Sequence, residues 1–174
     1  MVTGTGGTPG LFRDQVSAEL RALEEDLLWT EKAHFATATV YARLHLWLGV
    51  VATVAAAVAA ATVIAKLSPV ASGSAAVVAA VASGIVTFVK PQDTEQKHSA
   101  AARRLGALRV KVRQALNLDL HPTRPEQPDS WRALARTFAE AKAAIDAEAP
   151  GTSNRAFRAA RKKIEAGHFE HGAD

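Results

Sequence analysis

Two long stretches without a charged side chain constrain this sequence more than any other feature. Leu46 to Ala65 is twenty residues long, Leu67 to Val89 is twenty-three, and neither contains Asp, Glu, Lys or Arg. A bilayer core of ~30 Å is crossed by about 20 helical residues that rise ~1.5 Å each. Both stretches are therefore long enough to form transmembrane helices, although 22% of the whole chain is charged.

The alternative for such Ala-rich stretches is the core of a soluble helical bundle. Their larger side chains, mostly Val with some Leu, Ile and Phe, each contribute about −0.3 to −0.6 kcal/mol to insertion near the centre of a span. Neither stretch has the polar stripe every 3.6 residues that marks a soluble helix. We therefore predict a transmembrane hairpin with spans at about 46–65 and 70–89, broken at Lys66-Leu67-Ser68-Pro69.

The segments around the spans predict an all-α fold in four parts. Residues 1–13 are rich in Gly and Thr and are expected to be disordered. Residues 14–117 form the two-span hairpin with cytoplasmic, coiled-coil-like arms. Residues 118–129 are a Pro-rich linker, and 130–174 form a C-terminal helical hairpin whose first helix is capped by Ser130.

The distribution of basic residues predicts the orientation. The loop between the spans holds only Lys66, whereas the other side carries Arg43, Lys90, Lys97, Arg103 and Arg104. By the positive-inside rule both termini of this multi-pass membrane protein are cytoplasmic and the loop is outside. The chain has no cysteine, so it contains no disulfide.

The two arms carry apolar residues at alternating steps of three and four, which predicts an antiparallel coiled-coil-like seam. Charge agrees, because residues 1–45 hold four basic and six acidic side chains and residues 90–117 hold seven basic and two acidic. The pattern leaves open whether the partner arm belongs to the same chain or to a neighbour. The expected pairs are Leu27 with Leu108, Leu23 with Val112, Leu20 with Ala115 and Glu24 with Lys111, while Glu25 and Glu31 lie close to Arg109 and Arg103–Arg104.

Small residues form one stripe on each span. Because a small-residue stripe lets backbones approach, one interpretation is close helix packing. The other is that the hydroxyls line a narrow pore, which needs several chains because two helices enclose no lumen. The candidate residues are Gly49, Thr53, Ala57 and Ala61 on the first span and Ser72, Ala76, Ala80, Ser83 and Thr87 on the second.

Other polar groups point to no chemistry. His168 and His171 in the tail lack further metal ligands, and the remaining histidines share no ligand spacing. The basic run from Arg155 to Lys163 is interpreted as a solvated face rather than a nucleic-acid site. No nucleophile elbow, phosphate loop or zinc motif is present. We therefore expect neither enzyme activity nor a cofactor, and no nucleic acid as partner.

The layout over residues 15–117 resembles the SLATT family, small bacterial two-span effectors associated with nucleotide-signalling conflict systems. A charged helix containing Leu28-Trp29-Thr30-Glu31-Lys32-Ala33 enters the first span, and a basic amphipathic helix from Ala101 to Leu116 follows the second. The resemblance implies a membrane effector that oligomerises and perforates the inner membrane when a cytoplasmic sensor or nucleotide-signalling protein activates it. The alternative function is a non-conducting anchor or scaffold that recruits a cytoplasmic partner.

Overall fold

The computed structural model describes residues 10–66, 68–125, 127–152, 158 and 161–162. These residues form helices and turns without a strand, which confirms the all-α prediction. The helices are α1 Leu11–Ile64, α2 Pro69–Val89, α3 Pro91–Gln114 and α4 Pro128–Glu148, and a π-helical turn at Ala115–Asp119 continues α3.

The chain divides into two compact units. One unit consists of the described residues up to Ala36 together with the described residues from Ser99 onward, and the other is Thr37–His98. Helices α1 and α3 each contribute residues to both units.

The helix ends follow from the backbone preferences of a few residues. No Pro or Gly occurs in α1 before Gly49, so the arm and the first apolar stretch form one continuous helix. Pro69 begins α2, as its fixed φ allows at a first helical turn. At its other end Lys90 adopts a left-handed conformation with φ +45°, and its N–H donates to the carbonyl of Val86 at 3.1 Å. Pro91 then starts α3.

The prediction of disorder over residues 1–13 is wrong at its end. Helix α1 already begins at Leu11, while residues 1–9 lie outside the described part of the chain. The Arg13 guanidinium donates to the carbonyl oxygens of Pro122 and Arg124, at 3.2 and 2.9 Å. These bonds connect the start of α1 to the linker, a contact that local composition does not reveal.

The first unit is built around a core that α1, α3 and α4 share. Helix α4 runs in the same direction as α1, because Trp131 stacks on Phe12 (ring centroids 6.4 Å apart) and Lys142 binds Asp26 at 2.9 Å. Burial alone would lower the pKa of Lys142, but its bonds to Asp146 and Asp26 outweigh burial and raise that pKa above its usual value. The buried core residues are Val16, Leu20 and Leu27 of α1, Leu105, Leu108 and Val112 of α3, Ala115 and Leu120 after it, and Trp131, Phe138 and Ile145 of α4.

The start of α4 differs from the prediction. Ser130 is not the N-cap, because the helix begins at Pro128 and Gln127 occupies the cap position without a side-chain cap bond. The Ser130 hydroxyl instead donates back to the Gln127 carbonyl at 3.0 Å. Pro128 favours this earlier start, since its φ suits a first helical turn. The second helix of the predicted C-terminal hairpin lies outside the described residues, apart from three exposed helical positions, Arg158, Arg161 and Lys162.

Candidate functional site in the helical hairpin

Within the Thr37–His98 unit, the two apolar helices pack through a stripe of small residues. On each helix most of the less exposed positions recur in alternating steps of three and four, the spacing of a coiled-coil seam, and Gly84 of α2 is half-buried between two of them. Ala82 is only 4% exposed and lies in the middle of this stripe. The stripe consists of Leu48, Ala52, Ala55, Ala59 and Thr62 on α1 and Ser72, Ala75, Ala79, Ala82 and Val86 on α2.

These positions define a single antiparallel register. Each step of three or four forward along α1 is matched by the same step backward along α2. The residue numbers of facing positions therefore have a constant sum, as an antiparallel pair of helices requires. Small side chains at the seam let two helices approach closely. In lipid no hydrophobic force drives helices together, so they associate through such close packing. We infer from this spacing that the pairs are Leu48 with Val86, Ala52 with Ala82, Ala55 with Ala79, Ala59 with Ala75, and Thr62 with Ser72.

The outer surface of the hairpin is covered with exposed large apolar side chains. Ile64 and Phe88 are 82% and 88% exposed, and many Val residues are more than 40% exposed. Soluble monomers rarely expose a continuous apolar surface of more than a few hundred Å². One stretch of α1 and one of Pro69–Asp119, in which α2 is the apolar part, are long and apolar enough to cross a membrane.

The stripes singled out from the sequence lie on a different face from the hairpin seam. Ser72 alone among those candidates belongs to the seam. A Cβ added at Gly49 would meet no atom within 4 Å. If this face packs against protein, the partner must be another chain. If it faces lipid or the lumen of a pore, it needs no further protein contact. The exposed candidates are Gly49, Thr53, Ala57, Ala61, Ala76, Ala80, Ser83 and Thr87.

The sequence contains a signal for this seam that a search for steps of four does not find. Steps of four follow a helix ridge, whereas two helices wound together need alternating steps of three and four. In a run as rich in alanine as Ala55 to Ala61, both spacings find small residues. Choosing between them requires the partner helix.

Several hydroxyl groups in the hairpin donate hydrogen bonds to carbonyl oxygens of their own helices. Thr53 donates to the carbonyl of Gly49 at 2.8 Å, and Thr87 donates to that of Ser83 at 2.9 Å. Ser72 likewise donates to Pro69 at 3.0 Å. Because a bonded hydroxyl costs less to place in hydrocarbon, these residues suit a lipid or packed environment as well as a wet one.

In the other unit, the predicted arm residues reach a common core. Leu20, Leu27, Leu108, Val112 and Ala115 are buried there, whereas Leu23 is only partly buried. Helix α4 shares this core, so the arms form a three-helix bundle rather than a two-stranded seam. The exact residue pairs of the arms stay a prediction.

The predicted pair of Glu24 with Lys111 does not form. Glu24 is half-buried in a groove that Arg113 also lines, and Lys111 is exposed. Arg109 Nε instead donates to a carboxylate oxygen of Glu31 at 3.0 Å. Arg109 and Lys111 lie about 200° apart on α3, so only one of them can face α1.

Glu31 is a buried charge held by basic neighbours. Its residue surface is 6% exposed, and besides Arg109 it accepts a bond from Lys32 at 3.1 Å. Gly106 leaves room for it, since a Cβ there would lie 3.3 Å from the Glu31 Cδ. Of the two other basic residues expected near Glu31, Arg104 pairs with Glu148 of α4 and Arg103 is exposed.

In the hairpin unit, His98 is 2% exposed and stacks on Tyr41 with ring centroids 6.2 Å apart. Burial lowers the pKa of His98 below its usual 6.5, which favours the neutral ring. In the part of the chain that the structure describes, no three His, Asp or Glu residues are grouped as metal ligands. His168 and His171 lie outside that part.

Comparison of the chain with protein-family models, with curated proteins and with solved structures finds no match.

Proposed function

We propose that this chain is a protein of the bacterial inner membrane that crosses the bilayer twice and assembles into a homo-oligomeric pore. The main support for this proposal is the distribution of small and large side chains on the hairpin. Its two helices use their small residues against each other, while large residues such as Val54 and Phe88 point outward. A lipid bilayer is the environment that covers such a surface at the lowest free energy.

The proposed topology places both termini in the cytoplasm. Lys66 is the basic residue of the turn between the spans, whereas Arg43, Lys90 and Lys97 lie on the other side and are exposed. Basic residues near span ends accumulate on the cytoplasmic side.

Pore formation requires several copies, because two helices enclose no lumen. The exposed face with Gly49, Thr53, Ser83 and Thr87 is free for contact with other chains or for lining a channel. Following the resemblance to SLATT effectors, the proposed setting is defence against infection, with a cytoplasmic sensor or nucleotide-signalling protein as the trigger.

Ser83→Leu tests this function, with Val81→Leu as the matched control. Both side chains are exposed and lie on opposite flanks of the buried Ala82. We expect wild-type expression to depolarise cells, Ser83→Leu to abolish ion flux while the oligomer persists, and Val81→Leu to conduct normally. Both substitutions make the span more lipophilic, so insertion is retained.

Oligomer size measured on the same preparation separates the outcomes. Loss of the oligomer in Ser83→Leu assigns Ser83 to a tight contact between chains, since the added volume does not fit there. Unchanged flux and size place Ser83 against lipid and contradict both roles. A wild-type protein that never depolarises cells contradicts the pore itself.

The alternative is a membrane-anchored scaffold without conduction. It is favoured by the internally bonded hydroxyls of Thr53 and Thr87, which need no water-filled lumen. In this case the three-helix bundle of the other unit recruits the cytoplasmic partner. An intact oligomer without flux, under conditions that activate the protein, supports the scaffold.

A further inference from the structure

The two arms expose charges of opposite sign. Within the bundle unit, the exposed charged residues number four acidic and one basic on α1, against three basic and no acidic on α3. On α1 they are Asp14, Glu19, Glu25 and Asp26 with Arg21, and on α3 they are Arg103, Arg104 and Lys111. One side of the bundle is therefore acidic and another is basic.

Most of these charges have no ion-pair partner among the described residues. Asp26 and Arg104 bind Lys142 and Glu148 of α4. Glu19, Arg103 and Lys111 have no ion-pair partner in the described residues, and Glu25 accepts only a 3.4 Å bond from Trp29 of its own helix. Lys111, which the sequence pairs with an acidic residue of α1, is available to a carboxylate of another molecule.

Each charged face also has an apolar strip at its centre. On α1, Ala18 and Ala22 lie within about 60° of Glu25 around the helix axis. On α3, Ala107 and Val110 lie within about 100° of Lys111, and Val110 is 39% exposed. Small apolar residues flanked by charges are typical of helix faces that pack against another helix.

The two faces match in height along the bundle. Glu31 meets Gly106 across the α1–α3 contact, so Glu25, six residues earlier, is level with a position six residues after Gly106. That position is Val112, next to Lys111. Rotation about an axis parallel to the helices preserves height, so Glu25 of one copy comes level with Lys111 of its neighbour.

We infer that a second copy of this chain docks its α3 face (Ala107, Val110 and Lys111) against the α1 face (Ala18, Ala22 and Glu25), with Glu25 and Lys111 paired between copies. The contact joins two different surfaces, so a linked pair still has one free surface of each kind, and copies added by the same rotation about the membrane normal close into a ring. Complementary charge sets the partner and the register of such a contact. The inference rests on the proposed membrane oligomer and specifies its cytoplasmic interface.

Introduced cysteines test this interface, since the chain has none of its own. Glu25→Cys and Lys111→Cys are made separately and together in the full chain, then treated with a short bismaleimide in membranes. The double variant should give a ladder of linked multimers. The two single variants, co-expressed, should give linked dimers, whereas each single variant alone should stay unlinked. Thr137→Cys, on an exposed position of α4, replaces Lys111→Cys as the control and should give no dimer with Glu25→Cys.

Native mass and ion flux of the same preparations distinguish the failures. Linked dimers from Glu25→Cys alone indicate a two-fold contact and overturn the head-to-tail arrangement. An intact, conducting oligomer that never links through these positions overturns the interface and leaves the proposed function standing. A monomeric, non-conducting protein overturns both.

Discussion

At the scale of single residues, the buried Glu31 carboxylate decides how α1 and α3 meet. It binds Arg109 at 3.0 Å and Lys32 at 3.1 Å, and Gly106 provides the space for it. A buried charge contributes little net stability, but removal of its partner leaves an uncompensated charge in a poorly solvated place. This pair therefore specifies one alignment of the arms more than it stabilises them.

Arg109→Gln should destabilise the bundle by about 1–3 kcal/mol, because Glu31 keeps only Lys32 as a cationic partner. Arg104→Gln is the matched control. Its pair with Glu148 is largely exposed on both sides, so its loss should cost no more than ~1 kcal/mol. Thermal unfolding of both variants in mild detergent, followed by circular dichroism, measures the difference. Equal losses would show that burial of Glu31 contributes nothing.

Single residues also explain why the charge pattern misplaces Lys111 and Arg104, although Glu31 does bind Arg109. Long basic side chains on α3 point in several directions, and two acidic helix neighbours, α1 and α4, compete for them. Arg104 binds α4 instead of α1 because α4 passes beside it. A pairing rule for two helices cannot anticipate a third.

At the scale of helices, close packing of the hairpin depends on side chains no larger than alanine at the centre of the seam. Ala52, Ala55, Ala79 and Ala82 lie at matched positions of α1 and α2. A larger side chain there separates the two backbones, whereas one on the outer face meets only the surroundings.

Ala82→Leu should therefore destabilise the hairpin by about 1–3 kcal/mol, the usual cost of overpacking. Ala80→Leu adds the same volume at an exposed position and should change stability little. Thermal unfolding in one detergent compares the two variants directly. A larger loss in Ala80→Leu would show that the outer face, and not the seam around Ala82, holds the helices together.

The elements differ in how well the sequence predicts them. The continuity of α1 follows from a segment without Pro or Gly, and the break at Lys90 and Pro91 follows from local backbone preferences. Docking of α4 onto the arms does not follow, because the apolar face of Trp131, Phe138 and Ile145 suits any apolar partner. Only the tertiary structure shows that this face packs against α1 and α3.

At the scale of the whole molecule, the chain combines an apolar hairpin with a charged helical bundle. The exposed apolar surface of Thr37–His98 and the asymmetric basic residues at its ends together predict how the chain lies in a membrane. In the proposed orientation, the bundle is the part available to cytoplasmic molecules.

A reporter fused after Asp174 should be active in the cytoplasm, and one inserted at Ser68, in the exposed turn between α1 and α2, should be active outside. The physical reason is the excess of basic residues beside the terminal ends of the spans. Paired phosphatase and fluorescent-protein fusions measure both positions. Reversed activities would contradict the proposed orientation, and cytoplasmic activity at both positions would contradict a spanning hairpin.

The sequence by itself determined the all-α class, the two apolar helices and the composition of the arms. These properties depend on the length of uncharged runs and on local backbone preferences, which each segment carries alone. Only the tertiary structure decided which face of an Ala-rich helix forms the seam, which carboxylate each basic residue binds and where α4 packs. Alanine offers several nearly equivalent faces and long basic side chains reach several partners, so only the neighbouring helices select among them.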